Sequence, residues 1–184
     1  MVTVYLCLAG EISTDALVTK LAKKYFPGAV PEILRQERGK PYFVGNTGVH
    51  FSVSHSGSLV AVAFGESPLG IDLQQHKRRT YETQADAHQR HKKLSARYFH
   101  PEEQELVEQD PWEGFFRIWT AKESCVKRTG RGIDHALSKL CILPQGDAWA
   151  DEYGFFRQAV IPGGYTLCLC TEKPTDWTIC DLSE

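Results

Sequence analysis

Apolar and polar positions alternate along the first eight residues, which predicts a strand from Val2 to Leu8. The spacing then changes to that of a helix, because Leu17, Leu21 and Tyr25 recur at four-residue intervals. Pro27-Gly28 is expected to end this helix. The N-terminal region is therefore predicted to form a strand followed by a helix.

The next part of the chain predicts a long connection and then two strands. Residues 31–50 contain two prolines, two glycine-containing turns and few periodic apolar residues, a composition that favours a largely extended connection. Continuous apolar runs follow at 59–64 and 69–73, joined by a turn-forming segment at 65–68. This arrangement predicts a β-hairpin.

The second half of the chain predicts two helices and then a series of strands. Pro101 opens a helix with acidic residues in its first turn. Asp110-Pro111 predicts the start of a longer helix, and Gly130 is expected to end it. Apolar runs predict strands from Leu140 to Leu143, Phe155 to Ile161, Tyr165 to Cys170 and Trp177 to Leu182.

A weak internal repeat indicates how these elements are organised. Residues 58–73 end in Ile-Asp-Leu, and residues 164–182, with a similar apolar pattern, end in Ile-Cys-Asp-Leu. We expect an α+β protein with two similar lobes, each an antiparallel sheet packed with helices, spanning approximately residues 1–75 and 76–184. Chance similarity between two amphipathic segments is the alternative explanation.

Composition narrows the class of protein. The chain has 184 residues, is 42% hydrophobic and carries a formal net charge of −2, which argues against a general nucleic-acid binder. No apolar run approaches the roughly 20 residues of a membrane span, and no basic lead-in suggests a signal peptide. Six cysteines without a C-x-x-C pair predict reduced thiols in a cytoplasmic protein.

Candidate chemistry centres on two carboxylates. Asp72 lies in an apolar strand, where a carboxylate is costly unless it is paired, exposed or bound to a metal. An edge aspartate that caps a turn is the alternative for this residue. Glu123 and Lys127 lie four apart on the long helix, a spacing equally typical of an ordinary surface pair. Together the three residues are suited to a divalent-cation site for phosphate chemistry.

Three further segments offer groups that bind phosphate or a partner. Ser54-His55 supplies a hydroxyl and an imidazole, or simply forms a polar turn, and Lys40 precedes a proline that keeps its backbone extended. Residues 76–97 are strongly basic, either as a solvated face or as a docking surface for an acidic partner. The positive charges of that segment are Lys77, Arg78, Arg79, Arg90, Lys92, Lys93 and Arg97.

The order of four motifs resembles that of the 4′-phosphopantetheinyl transferase superfamily, Sfp-like type. The motifs are Gly-Lys-Pro-Tyr (39–42), Phe-Ser-Val-Ser-His-Ser-Gly (51–57), Gly-Ile-Asp-Leu-Gln (70–74) and Trp-Thr-Ala-Lys-Glu-Ser-Cys-Val-Lys (119–127). The resemblance implies a monomeric pseudo-dimer of two lobes with the active site at their interface. It also implies transfer of the 4′-phosphopantetheine arm of coenzyme A to a serine of an acidic apo acyl or peptidyl carrier protein, releasing adenosine 3′,5′-bisphosphate.

The resemblance assigns roles to individual residues. Mg²⁺ or Mn²⁺ would be held by Asp72, Glu123 and Gln74, with Glu123 and Lys127 also catalytic. Lys122 would neutralise nearby charge or be structural. Coenzyme A would contact Lys40, Ser54, His55, Lys127, Arg35 and Arg38. The carrier protein would contact Lys77, Arg78, Arg79, Lys92 and Lys93.

One position departs from the family pattern and keeps a second hypothesis open. The family motif usually reads Gly-Ile-Asp-hydrophobic-Glu, and Gln74 stands in place of the glutamate. We expect weaker Mg²⁺ binding, or a carrier-binding paralogue with little or no activity. A metal-dependent nuclease fits less well, because the acid-x-lysine triplet on a strand is missing and the net charge is wrong for DNA.

Overall fold

The computed structural model describes residues 1–10, 12–132 and 137–183. The first half of the chain contains mostly strands. Its elements are β1 (Val2–Leu8), α1 (Thr14–Ala22), β2 (Ile33–Arg35), β3 (Pro41–Phe43), β4 (His50–Ser56), β5 (Leu59–Gly65) and β6 (Leu69–Gln75).

The second half begins with helices and ends in strands. Its elements are α2 (Gln84–Tyr98), α3 (Pro101–Gln109), α4 (Glu113–Thr129), a 3₁₀ turn (Leu137–Lys139), β7 (Ala148–Asp151), β8 (Gly154–Ile161), β9 (Tyr165–Thr171) and β10 (Trp177–Asp181). Among the described residues, no helix is both long and apolar enough to cross a lipid bilayer.

Two four-stranded sheets form the centre of the fold. The first has the order β10-β1-β5-β4, with β1 parallel to β10 and antiparallel to β5. The second has the order β6-β9-β8-β7 and is antiparallel throughout. Helix α1 packs on the first sheet through Val18 and Leu21, and α4 packs on the second. The prediction of an α+β fold with two similar lobes is confirmed.

The predicted β5–β6 hairpin is wrong, because the two strands lie in different sheets. Side chains at 59, 61 and 63 of β5 pack in one apolar cluster with those at 69, 71 and 73 of β6. The strands therefore meet face to face across two stacked layers, an arrangement that suits strands buried on both faces. The apolar runs themselves do not distinguish this stacking from edge-to-edge pairing.

The same crossing occurs near the C-terminal end of the chain, where β9 belongs to the second sheet and β10 to the first. Each of the two similar segments detected in the sequence thus carries the chain from one sheet to the other. The division into lobes at residue 75 stays a prediction. By sheet membership, β6 lies with the later strands and β10 with the earlier ones.

A row of serine side chains joins the two sheets. One edge of β6 pairs with β9 through the backbone, and the other edge donates its N–H groups to hydroxyl oxygens on β4. The bonds run from Ile71 to Ser52 (3.1 Å), from Leu73 to Ser54 (3.1 Å) and from Gln75 to Ser56 (2.9 Å). The hydroxyls satisfy donors that would otherwise be buried without partners.

The strand predicted from Leu140 to Leu143 does not form, because side chains satisfy the backbone of this segment. Glu103 and Lys122 are fully or almost fully buried, with exposures of 0% and 2%. The carboxylate of Glu103 accepts a bond from the Ile142 N–H at 2.7 Å, and the Lys122 ammonium donates to the Leu140 carbonyl. The two side chains also pair with each other, so the segment is tied to α3 and α4.

The long helix begins two residues later than Asp110-Pro111 would predict. The Asp110 carboxylate accepts bonds from the N–H groups of Trp112 and Glu113, and α4 then runs to Thr129. The predicted end at Gly130 is confirmed, since this residue adopts the left-handed conformation with φ of 70°.

The backbone of α4 lies directly against β6 at Gly70. A Cβ atom built on Gly70 would stand 2.0 Å from the Ser124 carbonyl oxygen and 2.4 Å from the Arg128 amide nitrogen. Only glycine allows this approach. The contact sets the distance between the polar residues of β6 and those of α4.

We expect Gly70→Ala to lower the free energy of unfolding by about 2 kcal/mol or more, because the added methyl group must push α4 away from β6. Urea unfolding followed by circular dichroism measures the change. Gly28→Ala is the matched control, since a Cβ there meets nothing within 4 Å. Equal stabilities for the two variants would contradict the close approach.

Candidate active site

Asp72 is the buried centre of a polar cluster between the two sheets. It lies on β6 with 1% of its surface exposed. Its Oδ1 accepts hydrogen bonds from the Lys127 ammonium at 2.7 Å and the Ser54 hydroxyl at 2.8 Å. Its Oδ2 accepts a bond from the Gln74 amide at 3.2 Å. The carboxylate is therefore paired and hydrogen-bonded, as a buried charge requires, and the turn-capping alternative is excluded.

Ser54 has no hydrogen-bonding capacity left for a ligand. Its single hydroxyl proton is donated to Asp72, and its oxygen accepts bonds from the Leu73 N–H and from the Lys127 ammonium at 2.8 Å. A serine hydroxyl offers one donor and two acceptor sites, so all three are in use. This geometry makes Ser54 a residue that positions Asp72 and Lys127.

Glu123 faces the same cluster from α4, and one of its carboxylate oxygens is buried without a partner. The residue is 6% exposed, and its Oε1 makes no hydrogen bond. Burial, and then the negative charge of Asp72, raise the pKa of Glu123 to about 7, while the charge of Lys127 acts in the opposite direction. Unpartnered buried oxygens are rare in folded proteins, and this one is suited to a cation.

The cluster forms one wall of a cavity of about 500 Å³. Seven of the nine residues proposed for catalysis, metal or coenzyme A line this cavity, and Asp72 and Gln74 do not. The seven are Arg35, Arg38, Lys40, Ser54, His55, Glu123 and Lys127. The cavity is bounded by parts of the chain as distant as residues 14 and 132, so both halves of the sequence contribute to it. Its volume lies within the range of small-molecule and cofactor sites.

Lys40 lies between the cavity and the C-terminal end of α4. Its ammonium donates to the Arg128 carbonyl at 2.5 Å, one of the carbonyls left without a helical partner. Burial, and then the positive charge of Arg128, lower the pKa of Lys40 to about 8. An incoming anion would favour the charged form of this lysine.

The donor set fits a hard divalent cation. Asp72 and Glu123 supply carboxylate oxygens, and the amide of Gln74 bonds Asp72 Oδ2, so all three proposed ligands belong to one cluster. Mg²⁺ prefers such oxygen donors and retains several waters. The unpartnered Glu123 oxygen is the observation that favours a cation here.

Other residues proposed from the sequence lie elsewhere. Lys122 pairs with Glu103 and takes no part in the Asp72 cluster. Of the two roles considered for Lys122, the structural one therefore fits. Lys77, Arg78 and Arg79 are exposed between β6 and α2 and do not line the cavity. On α2, Lys92 is partly buried and pairs with Glu108, and Lys93 is exposed.

Sequence reasoning missed the contribution of α1 to the cavity. Thr14 and Asp15, in the first turn of that helix, line it, and Asp15 bonds Arg35 at 2.7 Å. No local pattern in the sequence indicates that the first turn of this helix faces the site. The close approach of α4 to β6 at Gly70 was also missed, although the sequence does carry a signal for it. A glycine within an apolar strand often marks a place where another backbone approaches closely.

Comparison with known proteins identifies related sequences. A model of the 4′-phosphopantetheinyl transferase superfamily matches residues 68–178, which contain Asp72, Glu123 and Lys127. A 4′-phosphopantetheinyl transferase of Bacillus subtilis is 28% identical over 150 residues, covering 76% of this chain and 62% of the relative. The chain thus spans less than two-thirds of that relative's length.

Two other relatives match over shorter regions. The 4′-phosphopantetheinyl transferase HetI of Nostoc sp. is 36% identical over 106 residues, covering 53% of this chain and 41% of the relative. The 4′-phosphopantetheinyl transferase AcpT of Escherichia coli O157:H7 is 35% identical over 106 residues, covering 55% of this chain and 50% of the relative. Because the family model covers more than half of its residues, the chain belongs to the 4′-phosphopantetheinyl transferase superfamily.

Proposed function

We propose that this protein transfers the 4′-phosphopantetheine arm of coenzyme A to a serine of an apo carrier protein, releasing adenosine 3′,5′-bisphosphate. One observation carries the proposal: Glu123 faces a cationic cavity beside Asp72 with a buried, unpartnered carboxylate oxygen. The relatives named 4′-phosphopantetheinyl transferases support the same reaction.

Coenzyme A is the co-substrate whose charge suits the cavity. It carries a pyrophosphate and a 3′-phosphate, and the lining offers the cations of Arg35, Arg38, Lys40 and Lys127. His55 is exposed at the same wall and is assigned to the 3′-phosphate. The role of Ser54 differs from the one first expected, since its hydroxyl is already saturated; it holds Asp72 and Lys127 in place.

Asp72 and Glu123 would hold Mg²⁺ or Mn²⁺, with Gln74 orienting Asp72 or a metal-bound water. When bound, the cation supplies positive charge to the pyrophosphate and orients it for attack. Lys127 bonds Asp72 from the cavity side and is able to turn toward the leaving phosphate. Glu123 would accept the serine proton directly or through water, and a bound cation favours the ionised form of this carboxylate.

The carrier protein would dock beside the cavity on the basic segment at 76–97. Lys77, Arg78, Arg79 and Lys93 are exposed there, whereas Lys92 already pairs with Glu108. Attraction between such a surface and an acidic partner mainly increases the association rate.

We also propose that the protein acts as a monomer in the cytoplasm. One chain supplies both walls of the cavity, and its six cysteines are free thiols.

A carrier-binding paralogue with weak or no activity is the second candidate, favoured by Gln74. In that case the cavity would still bind coenzyme A, but the cation would be held too weakly for transfer. The two candidates differ in whether any carrier is modified at high Mg²⁺ concentration.

Incubation of the protein with coenzyme A, Mg²⁺ and a panel of apo carrier proteins should add about 340 Da to at least one carrier, the mass of the phosphopantetheine arm. Intact-mass spectrometry measures the shift. A chelator should abolish it, and Asp72→Asn or Glu123→Gln should slow it by about 100-fold or more. Asp147→Asn, at an exposed acid remote from the cavity lining, is the matched control. No shift on any carrier, with coenzyme A still bound, would favour the paralogue.

Ser54→Ala should reduce the transfer rate by about ten- to a hundredfold and raise the Mg²⁺ concentration needed for half-maximal activity, because Asp72 and Lys127 lose a shared partner. Ser52→Ala is the matched control. Ser52 makes the same kind of bond to the β6 backbone, but it bonds Ile71 and not the Asp72 cluster. Equal Mg²⁺ requirements in the two variants would refute the positioning role of Ser54.

Gln74→Glu should lower the Mg²⁺ concentration needed for half-maximal activity, because it adds a third carboxylate to the cluster. Without metal, the same change should lower the melting temperature, since the amide bond to Asp72 is replaced by repulsion. Gln75→Glu, at the next position on β6, controls for added charge. An unchanged Mg²⁺ requirement would place residue 74 outside the metal site.

A further inference from the structure

A second cluster of metal-ligating side chains lies outside the cavity. Within the described residues, ligand atoms of His100, Glu102 and Cys141 lie within 4.8 Å of one another. His100 and Glu102 flank Pro101 at the start of α3, and Cys141 belongs to the segment that follows the 3₁₀ turn. His100 and Cys141 are partly exposed and Glu102 is exposed, so the group is accessible from solvent. None of the three lines the candidate active site.

The backbones that carry these side chains are held together by one buried carboxylate. Glu103 accepts the N–H of His100 at 2.7 Å and the N–H of Ile142, next to Cys141, also at 2.7 Å. Lys122 pairs with Glu103 and donates to the carbonyl of Leu140, on the other side of Cys141. The histidine and the cysteine therefore stand on a rigid common support, as a preorganised metal site requires.

The ligand atoms of the cluster stand slightly farther apart than those around a bound metal. The ring Nδ1 of His100 accepts the Glu102 N–H at 3.4 Å, a long bond, and lies 3.9 Å from the Glu102 carboxylate. Ligand atoms around a tetrahedral zinc ion stand about 3.3–3.8 Å apart, given the usual bond lengths. The three ligand atoms, which lie within 4.8 Å of one another, must therefore approach each other by about an ångström at most.

We propose that His100, Glu102 and Cys141 form a binding site for Zn²⁺, separate from the candidate Mg²⁺ site. An imidazole, a carboxylate and a thiolate are the ligand types that zinc combines, whereas Mg²⁺ takes oxygen donors only. The fourth position is left to water or to a side chain of a partner. Binding displaces the thiol proton of Cys141 into solvent and links the start of α3 to the 140–142 segment.

Cobalt is the direct probe of this site, because a thiolate bound to Co²⁺ gives a charge-transfer absorption band that oxygen ligands do not give. The full chain, stripped of metal and kept in saturating Mg²⁺, is titrated with Co²⁺. We expect the band to reach its maximum at one equivalent. Addition of Zn²⁺ should then remove it by displacement, which yields the zinc affinity.

Variants assign the ligands. Cys141→Ser should abolish the band, and His100→Ala and Glu102→Gln should each weaken Zn²⁺ binding by about tenfold or more. Cys180→Ser and Glu105→Gln are matched controls, the first at another partly exposed thiol and the second at an exposed acid on the same helix. Zn²⁺ should also raise the melting temperature of the wild-type protein but not that of Cys141→Ser.

Circular dichroism of the metal-free variants establishes that they are folded before binding is compared. The proposal is overturned if the wild-type protein gives no band, if the band persists in Cys141→Ser, or if His100→Ala and Glu102→Gln bind Zn²⁺ as the wild type does. Loss of Zn²⁺ binding in Asp72→Asn alone would instead assign the ion to the Mg²⁺ cluster.

Discussion

Strand β6 has to satisfy its backbone on both edges while it carries a buried charge, and the arrangement of the protein follows from this requirement. One edge bonds to β9 in the ordinary way. The other meets the side-chain hydroxyls of β4, which reach across from a different sheet. Because side-chain hydroxyls accept these bonds, the two sheets stay separate layers.

The same strand brings the polar residues together. Gly70 lets α4 lie directly on the strand. The distance between the two elements is thereby fixed, and Glu123 and Lys127 on α4 face Asp72 on β6. The positive charge of Lys127 balances the negative charge of Asp72, but one carboxylate oxygen of Glu123 has no hydrogen-bond partner. Burying such an oxygen costs free energy. The cost is tolerable because α4 is anchored elsewhere, notably by the buried pair of Lys122 and Glu103.

The sequence predicted most of the elements and the main site residues for identifiable reasons. Apolar alternation located β1, and the glycine after Thr129 marked the end of α4. Asp72, Glu123 and Lys127 were found because a charge in an apolar strand and a motif order are local signals. These three residues do meet in the structure.

What the sequence did not predict depends on contacts between distant residues. The β5–β6 hairpin failed because two-sided burial does not reveal whether strands pair or stack. The strand at 140–143 failed because Glu103 and Lys122, both distant in sequence, satisfy its backbone. Ser54 resembled a phosphate ligand, and only its three bonds with Asp72, Leu73 and Lys127 show that its hydroxyl has no capacity left.

The position of β10 has a consequence for how the chain folds during synthesis. Residue 2 pairs with residue 177, so β1 lacks its neighbour on this edge until β10 has been made. Pairings of such high contact order form slowly, and an unpaired strand edge is prone to associate with other chains. The nascent chain therefore exposes this edge of β1 during synthesis, and a chaperone that covers β1 until β10 arrives would prevent such association.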